Sequence, residues 1–392
     1  MTWSLTANVE AGRGLVATAA LPAQSVVLSV PSHLLLTPAA ARRDPVVSAA
    51  LEECGGVAAV SDAALLSCWL LSLASRGRES PFWPYVCSLP TSYTDGGGWS
   101  DAHVEELQAP YAVALVAELV SHRQADFQLA VPLLDALQLP AKLRTAAAWS
   151  WAASTVASRT VYAGPEGGSC GALCPCGDLV NHSVGADGMP TGRGELRGDM
   201  FCFITEGAVA PGGECTVSYS LEHASLDLLA LYGFLGGPTP ADVALLPRGQ
   251  HLAGILPDEP AGALCIAMAD GKPGWALLTA LRLAHASPAV RKVRGHAAAA
   301  GEMLDVDSEA GAYSRLGAAA AAARASLPTT EAQDAARLAQ GSSGMHPHLV
   351  LAVQWRLRYK RALRMCADLC AARVAWCLAQ TGARLVSAGR RM

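Results

Sequence analysis

The chain has 392 residues, of which 52% are hydrophobic and 16% are charged, and its formal net charge is −4. This composition excludes a disordered chain, and the negative charge argues against a nucleic-acid-binding domain, which neutralises phosphates with Lys and Arg. The length allows two or three domains. The sequence contains neither an apolar run of 18 residues nor a signal-peptide pattern in its first ten residues, so we expect a soluble, intracellular protein without a membrane partner.

The 12 cysteines lack the dense, even spacing of a disulfide framework, which favours reduced thiols in an intracellular compartment. Cys170, Cys174 and Cys176 form the only sequence cluster. Zinc sites of this kind need a second pair of ligands at matching spacing, and none follows. We therefore expect no bound metal.

Residues 9–36 are predicted to form β-strands. Gly12 and Gly14 flank Arg13 and are followed by an apolar run that ends at Ala17. Taken alone, Gly-Arg-Gly is most simply a tight turn between strands. A second predicted strand, Ser25-Val26-Val27-Leu28-Ser29-Val30, ends at a proline.

The pattern between about residues 44 and 155 is helical. Asp62 is predicted to cap a helix whose leucines recur at three- and four-residue steps. Further helices are predicted from about residue 101, over 111–123 and over 143–157. Arg159 follows at the end of the last of these helices.

A glycine-rich, irregular stretch then leads to Asp178 and to the pair Asn181-His182. Strands are predicted over 200–205 and 214–219, joined by a turn at Pro211-Gly212-Gly213, and a helix is predicted over 224–235. The cluster of Gly and Pro at 236–240 predicts a domain boundary.

Residues 248–392 are predicted to be all-helical. Thr330 is a predicted helix cap, and a final helix or helix pair is predicted over 347–378. Arg356, Lys360 and Arg364 repeat every four residues. This spacing predicts a solvated helix face, and the alternative is a docking surface for an acidic protein partner.

Three motifs in this order carry a resemblance to a known family: Asp178-x-x-Asn181-His182, a strand-ending Tyr219, and Tyr232-Gly233-Phe234. Together they resemble the SET-domain methyltransferases of the branch that includes the Rubisco large-subunit lysine methyltransferase. The resemblance implies an α+β protein. A β-rich SET catalytic domain over 1–240 would carry a helical insert at about 44–150, and an all-α substrate-binding domain would follow over 248–392.

The resemblance also implies S-adenosylmethionine as cofactor and a lysine side chain of a non-histone protein as acceptor, in a monomeric enzyme. Tyr219 would be the catalytic tyrosine. Residues implied in binding the cofactor are Ala11, Gly12, Arg13, Arg159, Asn181 and His182. Residues implied in binding the substrate are Arg159, Asp178, Tyr219 and Tyr232, with main-chain carbonyls of Arg159 and Asp178 facing the acceptor amine.

The chemistry is consistent with these residue types, because methyl transfer from a sulfonium to an amine needs alignment and a neutral acceptor rather than a strong acid or a metal. Without the resemblance, Asn181-His182 is equally a capped turn with a hydrogen-bonded His, and Tyr219 an ordinary strand residue. The sequence departs from the family pattern in three places, namely at Ala11, at Ser220 and at the pair Ala224-Ser225. Two alternatives stay open: a non-catalytic SET-fold binding module, and a protein-histidine methyltransferase.

Overall fold

The computed structural model describes residues 3–9, 12–55, 60–185, 188–237, 239, 241–256, 259–341 and 344–389. The strands in these ranges are β1 (Trp3–Val9), β2 (Gly12–Ala17), β3 (Val26–Pro31), β4 (Thr160–Val161), β5 (Ala172–Leu173), β6 (Gly192–Arg197), β7 (Met200–Thr205), β8 (Glu214–Cys215), β9 (Val243–Leu245) and β10 (Cys265–Ala267). The helices are α1 (Pro38–Arg43), α2 (Pro45–Glu53), α3 (Asp62–Arg76), α4 (Trp83–Ser88), α5 (Asp101–Glu105), α6 (Pro110–Ala136), α7 (Ala146–Arg159), α8 (Ser225–Tyr232), α9 (Trp275–His285), α10 (Pro288–Ala299), α11 (Val306–Ala325), α12 (Glu331–Ala339) and α13 (Pro347–Gly389). The predicted α+β class is confirmed.

The chain divides into two compact units. The first comprises Met1–Val104 and Leu115–Gly237, and the second comprises Glu105–Ala114 and Pro238–Met392. The predicted domain bounds place the segment Glu105–Ala114 in the first domain, whereas its contacts place it in the second unit. No helix among the described residues combines the length and apolar character needed to cross a bilayer.

Small antiparallel sheets build the β part of the first unit. One has the order β1-β2-β8 and another the order β3-β7-β6, and β4 pairs with β5. Leu15 of β2 and Phe201 of β7 face a shared apolar core that also contains Val180 and Val217. This core therefore anchors the stretches on either side of Asn181 and Tyr219.

The strand predicted over 214–219 is shorter in the structure. The ladder of β8 with β2 ends at Cys215, and Val217 then makes an isolated parallel bridge with His182. The prediction was wrong in extent, because an apolar run does not reveal where a strand exchanges its partner.

Helices α3 and α7 form the core of the inserted helical region. Leu66 and Leu70 of α3 and Trp149 and Ala152 of α7 are buried in one cluster. Asp62 is not the cap that was predicted, since the side chain of Ser61 accepts the capping hydrogen bond from Ala64. The carboxylate of Asp62 instead pairs with Arg42 at 2.8 Å. The region predicted as a helix over 111–123 continues to Ala136.

The second unit is mainly helical, with α11 and α13 packed together. It also contains an antiparallel ladder of β9 with β10, so the prediction that residues 248–392 are all-helical was wrong for Cys265–Ala267. Thr330 caps α12 as predicted, through a hydrogen bond from the main chain of Gln333. The final helix is a single one.

The four-residue repeat of basic residues on α13 is not a solvated face. Arg356 and Lys360 are each 1% exposed, and both bind the buried carboxylate of Asp334, at 2.7 Å and 2.5 Å. Arg356 also pairs with Glu106. The prediction was wrong at these two positions, because the periodicity of charge does not show where the counter-charges lie. Arg364 is partly exposed and pairs with Glu331 at 3.0 Å.

Candidate functional site

A cleft of about 390 Å³ in the first unit collects five of the predicted site residues. Its lining comprises Gly12, Arg13, Leu89, Pro90, Thr91, Ser92, Arg159, Asp178, Leu179 and Asn181. The volume lies in the range of small-molecule sites. Residues from β2, from the end of α7 and from the turn before Asn181 thus converge, although they are far apart in the sequence. Ala11, which was predicted to bind cofactor, lies outside the described residues.

The turn that carries Asp178 is shaped by its neighbours. Cys176 adopts a left-handed backbone conformation, with φ of 66°, and a short 3₁₀ turn follows over Gly177–Leu179. A Cβ atom on Gly177 would lie 2.5 Å from the ring of Phe203 and 2.6 Å from the sulfur of Cys174. Only glycine therefore lets this turn pack onto β7, and the turn fixes the position of Asp178.

Arg159 and Asp178 form an ion pair at the wall of the cleft. The guanidinium of Arg159 donates to the carboxylate of Asp178 at 3.1 Å and to its main-chain carbonyl at 2.9 Å. The hydroxyl of Tyr85 also donates to the carboxylate of Asp178, at 3.2 Å, and Arg159 Nε donates to the hydroxyl of Tyr93 at 3.2 Å. The main-chain carbonyl of Asp178, which was predicted to face the acceptor amine, thus keeps one lone pair for a further donor.

Burial dominates the electrostatics of this network. It raises the pKa of the Asp178 carboxyl, and the positive charge of Arg159 opposes that shift. Burial also raises the pKa values of the Tyr85 and Tyr93 phenols. Both tyrosines are therefore neutral and hold the ion pair as hydrogen-bonding partners. Because Arg159 already binds Asp178 and Tyr93, much of its donor capacity is committed within the protein.

Asn181 is held in one orientation by two acceptors. Its Nδ2 donates to the main-chain carbonyl of Arg13 at 2.9 Å and to Oε1 of Glu214 at 2.7 Å. Both hydrogens of the amide are thereby used. The remaining polar atom is Oδ1, which accepts no hydrogen bond from the described residues. Asn181 thus brings an oriented acceptor to the cleft, with the carboxylate of Glu214 beside it.

His182, Tyr219, Tyr232 and Phe234 form an aromatic group next to the cleft. The ring centroid of Tyr219 is 5.2 Å from that of His182 and 4.9 Å from that of Tyr232, and Phe234 lies 5.9 Å from His182. The hydroxyl of Tyr219 donates to the carbonyl of Val180 at 3.1 Å. Burial raises the pKa of the Tyr219 phenol far above its ordinary value, so this residue is a neutral hydroxyl and not a base.

The cysteine cluster near the cleft consists of free thiols. Cys174 is buried and Cys176 is exposed. Burial raises the pKa of both thiols, so they are protonated at neutral pH.

Sequence reasoning missed Glu214, Tyr85 and Tyr93. Glu214 lies five positions before Tyr219. Its hydrogen bond to Asn181 can be recognised only in the structure, where β8 pairs with β2 next to Arg13. Tyr93 follows Pro90-Thr91-Ser92, a short polar loop that gives no signal for a binding wall. Tyr85 lies in the aromatic run Phe82-Trp83-Pro84-Tyr85, a pattern that is more typical of a core than of a site.

The sheet order, the inserted helices and the mainly helical second unit together define a SET fold of the kind seen in Rubisco large-subunit methyltransferase (LSMT). Three solved structures show this likeness, each aligned over 96% of this chain and 88% of the other. The SET domain of LSMT bound to methyllysine and AdoHcy aligns with a TM-score of 0.62 and 20% identity. Rubisco LSMT bound to sinefungin and monomethyllysine aligns at 0.63 and 19%, and Rubisco LSMT bound to AdoMet at 0.60 and 20%.

A curated protein is similar in sequence as well. Protein SET DOMAIN GROUP 40 from Arabidopsis thaliana is 27% identical over 301 residues, which cover 69% of this chain and 60% of the relative. The chain therefore matches about three-fifths of that relative's length. No family model matches the chain. The resemblance to the LSMT-like SET proteins predicted from the three motifs is confirmed.

Proposed function

We propose that this chain is an S-adenosylmethionine-dependent protein N-methyltransferase that acts on a lysine side chain of a non-histone protein. The observation that carries the proposal is the convergence of Arg13, Arg159, Asp178 and Asn181 on one cleft, with the aromatic group of Tyr219 beside it. The fold of the LSMT structures, two of which hold AdoMet or AdoHcy, supports the cofactor.

The cleft fits the polar end of such a cofactor. An α-ammonium group needs hydrogen-bond acceptors, and Oδ1 of Asn181 is an oriented acceptor close to the carboxylate of Glu214. An α-carboxylate needs donors, which the guanidinium of Arg13 offers. Among the described residues, the guanidinium of Arg13 donates only to the carbonyl of Ser88, at 2.7 Å. Gly12, with φ of 94°, lets the main chain of this loop lie at the cleft.

When bound, S-adenosylmethionine would supply the methyl group of its sulfonium to an amine nitrogen in line, with a neutral sulfide as the leaving group. The protein then has to orient the amine and keep it neutral. Tyr219 donates its hydroxyl hydrogen to Val180, so the lone pairs of the hydroxyl are left to accept a hydrogen from the amine. The carbonyl of Asp178 offers a second acceptor. Two acceptors fix two N–H bonds, and the nitrogen lone pair then points in one direction.

The residues that surround the acceptor also favour its neutral form. An amine that enters an aromatic enclosure such as that of Tyr219, Tyr232 and Phe234 loses hydration, which lowers its pKa from the ordinary value of about 10.4. The buried phenols remain uncharged. We infer that the acceptor loses its proton to solvent on entry rather than to a protein base.

The proposal assigns residues 250–392 to recognition of the protein substrate. Trp275 of α9 and Val293 of α10 are 63% and 70% exposed, although both are large and apolar. A contiguous exposed apolar patch is typical of a protein-binding surface, and the proposal places these two side chains in one. Val293→Asp should raise KM for a protein substrate and leave the rate with a short lysine peptide unchanged. An unchanged KM would contradict this assignment.

Two measurements test the function. Calorimetric titration with S-adenosylmethionine should show one site per chain, and absence of binding would overturn the enzyme proposal in favour of a non-catalytic binding module. Incubation with labelled S-adenosylmethionine and a cell extract, followed by acid hydrolysis, should yield methyllysine. Recovery of methylhistidine alone would overturn the lysine assignment and keep the methyltransferase.

A further inference from the structure

The cofactor role that the resemblance implies for His182 belongs to its main chain. The side chain of His182 makes a separate contact. The main-chain N–H of Tyr219 donates to Nδ1 of His182 at 3.0 Å. The imidazole lies between the rings of Tyr219 and Phe234, with centroid distances of 5.2 Å and 5.9 Å. A ring nitrogen that accepts a hydrogen bond carries no proton, so the ring hydrogen of a neutral His182 is on Nε2.

This contact replaces a missing strand partner. Val217 is held on both sides, since its N–H donates to Asn181 at 2.9 Å and its carbonyl accepts from Ser183 at 3.0 Å. Two residues later, the N–H of Tyr219 meets no main-chain acceptor among the described residues and is bound by the imidazole instead. The backbone from which the Tyr219 phenol projects is therefore fixed by a side chain of the Asn-His motif.

We propose that His182 is a positioning residue for Tyr219, and that its unprotonated Nδ1 fixes the main chain at Tyr219 and with it the direction of the phenol. The role rests on the proposed function only in so far as Tyr219 orients the acceptor. The hydrogen bond itself does not depend on that function.

The contact requires a neutral ring. A proton on Nδ1 would place two donors face to face and break the bond to Tyr219. Burial lowers the pKa of His182, and the positive charge of a protonated His223 lowers it further. Within the part of the chain that the structure describes, the titratable groups beside the ring are His223 and the phenol of Tyr219, and that phenol stays neutral. At pH 7 the ring is therefore an acceptor at Nδ1.

A matched pair of substitutions separates the hydrogen bond from the packing. His182→Asn and His182→Leu have the same branched shape, but only Asn carries an acceptor oxygen near the position of Nδ1. We expect His182→Leu to lower kcat at least tenfold with KM for S-adenosylmethionine within about twofold of wild type, as for a loss of positioning. His182→Asn should recover most of that loss.

Two readouts need no turnover. Nitrogen-15 NMR of the wild-type ring should show the Nε2–H tautomer at pH 7. Exchange of the Tyr219 amide hydrogen should be slow in wild type and in His182→Asn, and faster in His182→Leu. Ionisation of the acceptor cancels in the ratio of wild-type to His182→Asn turnover. Because burial lowers the pKa of His182, this ratio should fall only at a pH well below about 6.5, the ordinary pKa of histidine.

The outcomes distinguish this inference from the proposed function. A proton on Nδ1 of wild type at pH 7, or wild-type turnover in His182→Leu, would overturn the positioning role of His182 alone. A wild-type protein with the Nε2–H tautomer that transfers no methyl group to any acceptor would overturn the proposed function.

Discussion

Asn181 and Glu214 are joined by a hydrogen bond of 2.7 Å across 33 positions of sequence, and this bond decides which atom of the amide is presented to the cleft. The Nδ2 hydrogens point to protein acceptors, so the oxygen is left for a ligand. A carboxylate next to that oxygen also adds attraction for an ammonium group.

Glu214→Gln tests the contribution of this charge. The amide still accepts from Asn181, but the negative charge is lost, so affinity for S-adenosylmethionine should fall about fivefold, equivalent to roughly 1 kcal/mol. Calorimetry measures it directly. Glu195→Gln is the control, because Glu195 is on β6 and pairs with Arg193 and Arg197. Equal affinities for wild type and Glu214→Gln would remove Glu214 from the site.

Asn181→Ala removes the oriented acceptor itself. We expect binding of S-adenosylmethionine to weaken by roughly 1–3 kcal/mol, the cost of leaving polar partners unmade, since Arg13 and Glu214 each lose a donor as well. The same titration measures this loss. Retention of wild-type affinity would show that the ligand does not contact this amide.

Tyr219→Phe keeps the ring and its packing against Tyr232, and removes only the hydroxyl. Turnover should fall about 10²-fold, with kcat and kcat/KM reduced together and cofactor affinity nearly unchanged. Tyr232→Phe is the matched control, and it should reduce turnover much less. If the two variants exchange these phenotypes, Tyr232 rather than Tyr219 orients the acceptor.

Asp334→Ala should destabilise the protein strongly, because it leaves Lys360 buried without a counter-charge and Arg356 with Glu106 alone. The expected loss in free energy of unfolding is about 3–5 kcal/mol. Urea denaturation measures it. Asp368→Ala removes one of the two acidic partners of Arg364 on the surface, the other being Glu331, and it should cost less than about 1 kcal/mol. Equal losses in the two variants would mean that burial does not determine the energy of these pairs.

The same carboxylate predicts a pH dependence. Burial alone would raise the pKa of Asp334, but its hydrogen bonds to Arg356 and Lys360 dominate, so the pKa is lowered. A group with a lowered folded pKa stabilises the protein above its unfolded pKa, about 3.9, and loses that contribution as the pH falls through the folded value. The difference in stability between wild type and Asp334→Asn should therefore shrink only below about pH 4. A difference that shrinks already between pH 7 and pH 5 would contradict the assignment.

The resemblance carried by the three motifs implied that Arg159, Asp178 and Asn181 share a site, and the structure brings them to one cleft. Asp178 and Asn181 belong to one motif, which is held in place by a turn that needs Gly177. Arg159 lies at the end of α7. Glu214 and Tyr93 were missed because their partners come from other strands and loops. Arg356 and Lys360 were misread for the same reason, since their counter-charge lies on α12 and not on their own helix.

The membership of Glu105–Ala114 in the second unit has a consequence for how the chain is made. Glu106 binds Arg356, which follows it by 250 positions, and Gln108 binds Lys360 at 2.9 Å. During synthesis this decapeptide leaves the ribosome long before Arg356 and Lys360 exist. The second unit can close only when α13 has been translated, so a nascent chain stopped before residue 347 leaves Glu106 and Gln108 with only Arg337 and Thr329 as partners among the described residues.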